Sequence, residues 1–504
     1  MFNLYAIVLT VIVIVLLTVS IGQVRNVKTK ADYLVAGRTL PWYVLIFTLL
    51  SSWIGAGSLF AGAENAFRNG FAALWQAGGG WAALLIIYFV APRARKFAQF
   101  TIPDLLETRY NAAARVLGTI AILFAFTAIT SYQFKAGGDI LHLIFPDLNA
   151  IARDTFHMAP GHEHTLGMYI IAAFVVVFTA LAGMASVAYL DVVIGVLVTI
   201  TCIIAVPILL AKAGGWSGVH AALPPEYFQI FGRFGYGKDG VNHGTGAAFI
   251  RAMEIFLPTF LLLLGNQSMY QKFFSAKSEK DARMAVVGWI AGTFFLETII
   301  VLIAVLGASL YLHSTDLSPR EIIPYTARHA LPPLIGALLM GAVFAKVIST
   351  ANNYLFSPAT NLINDVYTRF MNKDAKDANI VVVSRFLVVI LGIWALIQGA
   401  HTESILAKAL YAYTIYSAAI TPVVMAAFFW KRATAEAAVT SIAAGTFVTV
   451  FWDLGSKYLP AGWAERDAIF PALVVSLFCL IVVSFLTPAP DAAKWKPFFA
   501  EEAG

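Results

Sequence analysis

The chain is poor in charge and nearly free of cysteine: 12% of its 504 residues are Asp, Glu, Lys or Arg, and only two are Cys. Soluble domains carry about twice that charged fraction. The shortage therefore excludes an ordinary water-soluble enzyme or binding module. Cys202 and Cys479 both lie in apolar segments, where buried thiols account for them, so they carry no information about compartment. Motifs of enzymatic chemistry are missing as well. The chain has no Gly-rich phosphate loop, no GxSxG, no HExxH and no Cys/His metal spacing. Five of the nine histidines (His157, His162, His164, His220 and His243) fall in polar connectors, as solvated residues do. No pore-lining repeat or filter sequence speaks for a channel. The net charge of +6 calls for no nucleic-acid partner, because membrane proteins gather Lys and Arg in cytoplasmic loops.

What the chain has is apolar length: 60% hydrophobic residues and a mean hydropathy of +0.77. Apolar runs of about 20 residues separated by charged or Gly/Pro-rich connectors predict an all-α polytopic membrane protein with about thirteen transmembrane helices. They fall at 4–24, 41–66, 71–91, 115–145, 167–186, 188–212, 250–274, 284–312, 328–368, 379–400, 403–429, 434–453 and 469–488. The first run lacks a basic flank and a cleavage site, so it reads as a retained helix. With the N-terminus outside, the cytoplasmic loops 25–40, 92–115, 272–283, 369–385, 431–433 and the C-terminal tail hold 21 of the 34 Lys and Arg residues. The opposite loops hold 10, and Lys135, Lys346 and Lys408 fall within apolar runs. That excess predicts an N-terminus outside and a C-terminus in the cytoplasm, and a cell membrane is the default expectation.

Two runs are interrupted. In "SSWIGAGSLFAGAENAF" (51–67), Gly55, Gly57 and Gly62 punctuate an apolar helix beside Trp53. Such a segment either unwinds at mid-depth, freeing carbonyls for a cation, or packs closely on a neighbour through small residues. In "LLLLGNQSMYQKFF" (261–274), Gly265, Asn266, Gln267 and Ser268 place polar groups in or at the end of a span. The two segments lie five spans apart, and paired interrupted helices point to an inverted-repeat transporter.

Ionisable residues at membrane depth are costly and mark function or pairing. Asp191 opens a span and serves either as a helix cap or as an aid to a cation. Lys135 and Asp139 share a helix face by their i, i+4 spacing, and Glu64 caps or gates its helix. Glu297 and Lys408 show no partner in the sequence, and an inter-helix pair is the simplest expectation for each. In "AKVISTANNY" (345–354), Ser349 and Thr350 are paired hydroxyls suited to a small desolvated cation, and Lys346 shares their face.

"TKADYLVAGRTLPWY", "SSWIGAGSL", "GMASVAYLDVV" and "KVISTANNYLFSPATNLINDVY", spread in order over roughly residues 28–400, resemble landmarks of the sodium:solute symporter family. The resemblance implies a leucine-transporter (LeuT-type) fold, a 5+5 inverted repeat. A single domain, 1–504, would hold an extra N-terminal helix at 4–24, a ten-helix core at 41–429, two extra helices at 434–488 and a cytoplasmic tail at 489–504. It also implies a sodium site between core helices 1 and 8, taking carbonyls of Ser52, Gly55 and Lys346 and the hydroxyls of Ser349 and Thr350. Asp191 matches an aspartate linked to a second cation, although Ile194 stands where a glutamine is common. The chain is similar to the choline-transporter branch through Trp53. The other cage positions, Ile129 and Asn266, are not aromatic, so a small polar organic solute held by Trp53, Gln133, Asn266 and Gln267 is expected instead.

The resemblance thus implies a transporter, not an enzyme, that couples a cation, sodium above all, to a small solute by alternating access. Apart from the ion it needs no cofactor, and its partners are the lipid bilayer and the solute; monomer and homo-oligomer both stay open. Lys346 departs from the small residue usual at its position and leaves three outcomes. Its side chain pairs elsewhere while its carbonyl serves sodium; its ammonium replaces sodium, making transport proton-coupled or uncoupled; or it snorkels to the cytoplasm. A solute-sensing module working with a separate signalling partner is the rival from another class.

Overall fold

The computed structural model describes residues 3–24, 29–97, 99–158, 165–181, 183–237, 240–401, 404–455, 458–459 and 466–499. Arg25, His162, His164 and the end of the tail at 500–504 lie outside them. Among the described residues the chain is helical, with no strand beyond two isolated bridges. Leu4–Val24 forms α1, and the short α2 (Lys30–Val35) leads into α3 (Trp42–Trp53). After a break the chain passes through a wide turn at Gly57–Gly62 and resumes as α4 (Ala63–Asn69). Next come α5 (Leu74–Phe97), α6 (Ile102–Arg109), α7 (Ala112–Ile144), α8 (Leu148–Asp154), α9 (Thr165–Leu181), α10 (Met184–Lys212) and α11 (Gly215–Ala222). Then α12 (Gly244–Gly265) stops at Asn266 and α13 (Gln267–Ser275) restarts at once. The rest are α14 (Glu279–Tyr311), α15 (Ile322–His329), α16 (Pro333–Asn361), α17 (Asp377–Ala400), α18 (Ile405–Ala419), α19 (Thr421–Phe429), α20 (Ala435–Gly455), α21 (Ile469–Leu486) and α22 (Ala492–Phe499).

Among the described residues, ten helical stretches are long and apolar enough to cross a membrane, and three shorter apolar helices, Leu4–Val19, Trp42–Trp53 and Thr165–Leu181, accompany them. The expected span at 328–368 begins only at Pro333, because the Pro332–Pro333 pair sets a helix start, and it runs on through a wider turn at Leu362–Met371. The 403–429 run divides at Ile420, where Pro422 opens α19.

The centre of the molecule is α16. Its residues from Gly341 to Asn361 are almost all buried, and it packs against α1, α3, α7, α9 and α10. Outward-facing Ile, Val and Phe side chains of α17, α20 and α21 are exposed, which fits a lipid-facing surface.

A buried ionic cluster ties one end of α7 to the chain after α16. Arg115 pairs with Asp365 at 3.0 Å and with Asp104 and Glu107, while Arg369 pairs with Glu107 at 2.6 Å. Burial raises the Glu107 pKa, but the Arg369 and Arg115 guanidinium groups outweigh it and hold the carboxyl below its ordinary 4.5. A depressed carboxyl stabilises the fold above the unfolded value, and that share is lost as pH falls through the lower folded one. The melting temperature of the purified protein is thus expected to drop as pH falls below about 4.5, with Glu107→Gln showing less of that drop. An identical acid profile for Glu107→Gln in a pH-resolved thermal melt would remove the carboxylate from the cluster's energetics.

Candidate functional site

The site is built on the break of the first interrupted helix. α3 ends at Trp53, and Ile54 takes an extended conformation (φ −84°, ψ 103°) that interrupts the hydrogen-bond ladder. Gly55 allows the break to touch α16, since a Cβ there would sit 2.5 Å from Thr350 Oγ1. The Thr350 hydroxyl faces the carbonyls of Ser51 (2.8 Å), Ile54 (3.3 Å) and Lys346 (2.9 Å). A hydroxyl has a single proton, so three carbonyl oxygens around it exceed what it can satisfy. An oxygen-rich, water-excluded corner of this kind suits a small hard cation.

The carbonyls turned towards α16 stand one residue ahead of the expected Ser52 and Gly55. For Gly55 the physical reason is local: its carbonyl already accepts the amides of Ser58 and Leu59. Ser349, by contrast, does face the same interface. Its Oγ lies 3.3 Å from Ser51 Oγ and donates to Asp191 Oδ1. Asp191 is fully buried and accepts a second hydroxyl, from Thr48, at 2.5 Å. It therefore bridges α10, α3 and α16 and does not cap its own helix.

Lys346 has no exposed surface and does not snorkel; its Nζ donates to Ser51 Oγ at 2.9 Å. A second buried lysine stands nearby. Lys272, placed by the sequence reading in a cytoplasmic loop, is fully buried in α13 and donates to Asn353 Oδ1 at 2.8 Å and Ser268 Oγ at 3.1 Å. Its spacing of four from Ser268 was the only signal in the sequence.

Beside the break, on the other side of Trp53, a narrow cavity is lined by Trp53, Ser58, Gln76, Glu297 and Tyr413 among others. Glu297 forms no inter-helix ion pair among the described residues. It accepts instead from the indoles of Trp53 (2.9 Å) and Trp81 (3.0 Å) and from Ser58 Oγ (3.4 Å). Gln133, Asn266 and Gln267 do not line this cavity. Gln133 Oε1 accepts the freed amide of Ala56, at 2.9 Å. Asn266 caps α13 through Ser268 N and donates to Tyr354 Oη at 3.0 Å. Gln267 accepts the amide of Ile102, and its own amide is bonded to Tyr416 Oη. Gln133 and Asn266 hold the two helix breaks in shape, and Gln267 ties the second break to the start of α6. Elsewhere, Glu64 pairs with Arg68, Asp139 with Arg320, and Lys408 lies over the Tyr411 ring.

The sodium:solute symporter family model matches residues 33–445. The chain belongs to that family. Across 94% of its length it is 26% identical to the high-affinity proline transporter PutP of Bacillus subtilis (strain 168), covering 96% of that protein. It is 24% identical to the sodium/proline symporter of Staphylococcus aureus (strain JH9), covering 94% of this chain and 90% of the relative. Among solved structures it resembles a Na+-coupled sialic acid symporter in a substrate-bound outward-open state, with a TM-score of 0.79 and 15% identity. That match covers 97% of this chain and 99% of the other. A nucleobase-cation-symport-1 family transporter with bromovinylhydantoin bound matches with a TM-score of 0.58 and 12% identity, over 94% and 99% of the two chains. This sodium:solute symporter is therefore a multi-pass membrane transporter, not an enzyme, with a LeuT-type fold and a cation-coupled, alternating-access mode of action.

Proposed function

We propose that the protein moves a small polar organic solute inward with sodium, the ion lying between the broken helix α3 and α16. The observation that carries this reading is the crowding of the Ser51, Ile54 and Lys346 carbonyls around the Thr350 hydroxyl. Ser349 supplies a further oxygen, and Asp191 supplies the negative charge that offsets the ion. With the Gly55 carbonyl committed to the turn after the break, its part is to shape the break, and the Ser52 hydroxyl stays bonded within α3. A cation bridging α3 and α16 draws the break into the form that presents Trp53 to the cavity, so solute and ion favour the same state. Trp53 meets the solute directly. Gln133, Asn266 and Gln267 act through the breaks they hold. We further assign the N-terminus to the outside and the C-terminus to the cytoplasm, residues 41–429 to the ten-helix core, and the 4–24 and 434–488 helices to additions. The solute falls in the broad class that includes proline and sialic acid, named for relatives.

A second reading follows from Lys346 Nζ, which reaches the same interface at Ser51. There the ammonium serves in place of sodium, and transport runs on protons or without coupling. Proteoliposomes separate the two. Uptake of whichever member of a panel of labelled small polar solutes the protein carries is expected to follow an inward sodium gradient at fixed pH. Uptake that ignores sodium and follows a proton gradient would replace the first reading with the second.

A further inference from the structure

The lone carboxylate of the solute cavity has no part in the coupling site. Glu297 sits near the middle of α14, a 33-residue helix whose most apolar window has a mean hydropathy of 2.3. A carboxyl at that depth is expensive unless something compensates it. The residue is 6% exposed, and its three donors, two indoles and a hydroxyl, are all neutral. A carboxylate offers about four acceptor positions, so these donors leave room for one more. None of the described residues lining the cavity is Lys, Arg or His, and Glu297 alone among them is ionisable in the physiological range.

The lining also supplies aromatic faces. Trp53 is pinned edge-on by its indole bond to Glu297, and Tyr413 is held by its hydroxyl, 3.3 Å from that of Tyr132. Fixed aromatic walls beside a buried carboxylate form the arrangement that receives an organic cation, the rings through their quadrupoles and the carboxylate through charge. A carboxylate-bearing solute would instead bring a second negative charge into a cavity with no basic side chain, a repulsion that water does not screen at this depth.

We propose that Glu297 is the counter-charge for the ammonium group of the transported solute, and that the solute is a small organic amine of net positive charge. This rests on the reading that the Trp53 cavity holds the solute. It departs from the zwitterionic proline and the acidic sugar named for relatives.

The test is thermal stabilisation of the purified full-length protein in lipid nanodiscs by five probes: propylammonium, pyrrolidinium, propanol, propionate and proline. Propylammonium and pyrrolidinium are expected to raise the melting midpoint, and the other three to leave it unchanged. Glu297→Gln is expected to weaken the two amines by roughly 30-fold or more, as removal of a buried charge partner does. Glu297→Asp, which keeps the charge, recovers part of that loss. Should Glu297→Gln fail to fold, the probe order on the wild type and the partial response of Glu297→Asp still decide. If neither amine stabilises the wild type, or if Glu297→Gln binds them unchanged, the inference is overturned. If proline or propanol binds and is lost in Trp53→Ala but kept in Glu297→Gln, the cavity stands and the ammonium assignment falls. Binding that survives both substitutions removes the cavity itself from the solute path.

Discussion

Lys346→Ala is expected to raise the affinity of the transporter for sodium by as much as about a thousandfold. The ammonium donates to Ser51 Oγ at 2.9 Å, and the carbonyl of the same serine lies 2.8 Å from the Thr350 hydroxyl. Two unit charges about 4 Å apart repel by roughly 4 kcal/mol at an effective dielectric near 20. At about 1.4 kcal/mol per decade, removing that repulsion gives close to three orders of magnitude. Lys346 is fully buried, so salt screens little of it. Asp191, joined to Ser349 in the same corner, takes up part of the repulsion and makes the thousandfold figure a ceiling.

Sodium titration of thermal stability, with potassium at equal ionic strength as control, measures this without knowledge of the solute. Lys346→Met keeps the apolar stem and is expected to behave like the alanine variant, which separates lost charge from lost packing. A wild type that ignores sodium while both variants respond to it is the outcome of the ammonium reading. Equal sodium responses in wild type and variants would take the cation away from the α3–α16 interface altogether.

The legible parts of the site were those written in short-range pattern. Gly55 and Gly57 beside Trp53 marked a helix that either unwinds or packs closely on a neighbour, and Ser349 with Thr350 put two hydroxyls on one turn. The family landmarks then set those turns against each other. What pattern did not carry was the direction of groups whose partners are far away in the chain. Glu297 meets Trp53 across 244 residues, and no local spacing announces that contact. Lys272 sits in a polar run at the end of a span, where a loop lysine and a buried one look alike until Asn353 is placed opposite. Gln133, Asn266 and Gln267 were visible as amides at membrane depth. Whether such an amide faces a solute or a broken backbone depends on which carbonyl or amide the break leaves free, and that is a tertiary matter. The one-residue shift from Ser52 and Gly55 to the carbonyls of Ser51 and Ile54 has the same origin: the turn after the break consumes the Gly55 carbonyl.

Arg115→Ala is expected to destabilise the fold by about 3–5 kcal/mol, the cost of stripping the partner from buried charge. Asp365 has no exposed side-chain surface, and its only cationic contact among the described residues is Arg115, at 3.0 Å. Its further donors, Thr101 Oγ1 at 2.9 Å and Asn364 Nδ2 at 3.0 Å, are neutral and do not replace a guanidinium. Asp104 and Glu107 face the same arginine, so its loss leaves three carboxylates around one vacated position, and among the described residues only Glu107 retains a second salt bridge, to Arg369. Like charges held together in a poorly solvated corner add repulsion to the lost pairing. The measurement is the melting midpoint of the purified variant in a fixed detergent and lipid, read against wild type. The double substitution Arg115→Met with Asp365→Asn supplies the control: it removes the arginine and the most buried carboxylate together, and is expected to recover much of the single variant's loss. A single variant that melts with wild type would mean that Asp365 is carried by its neutral donors alone. A double variant no better than the single one would place the damage in packing around the α7 end, not in uncompensated charge.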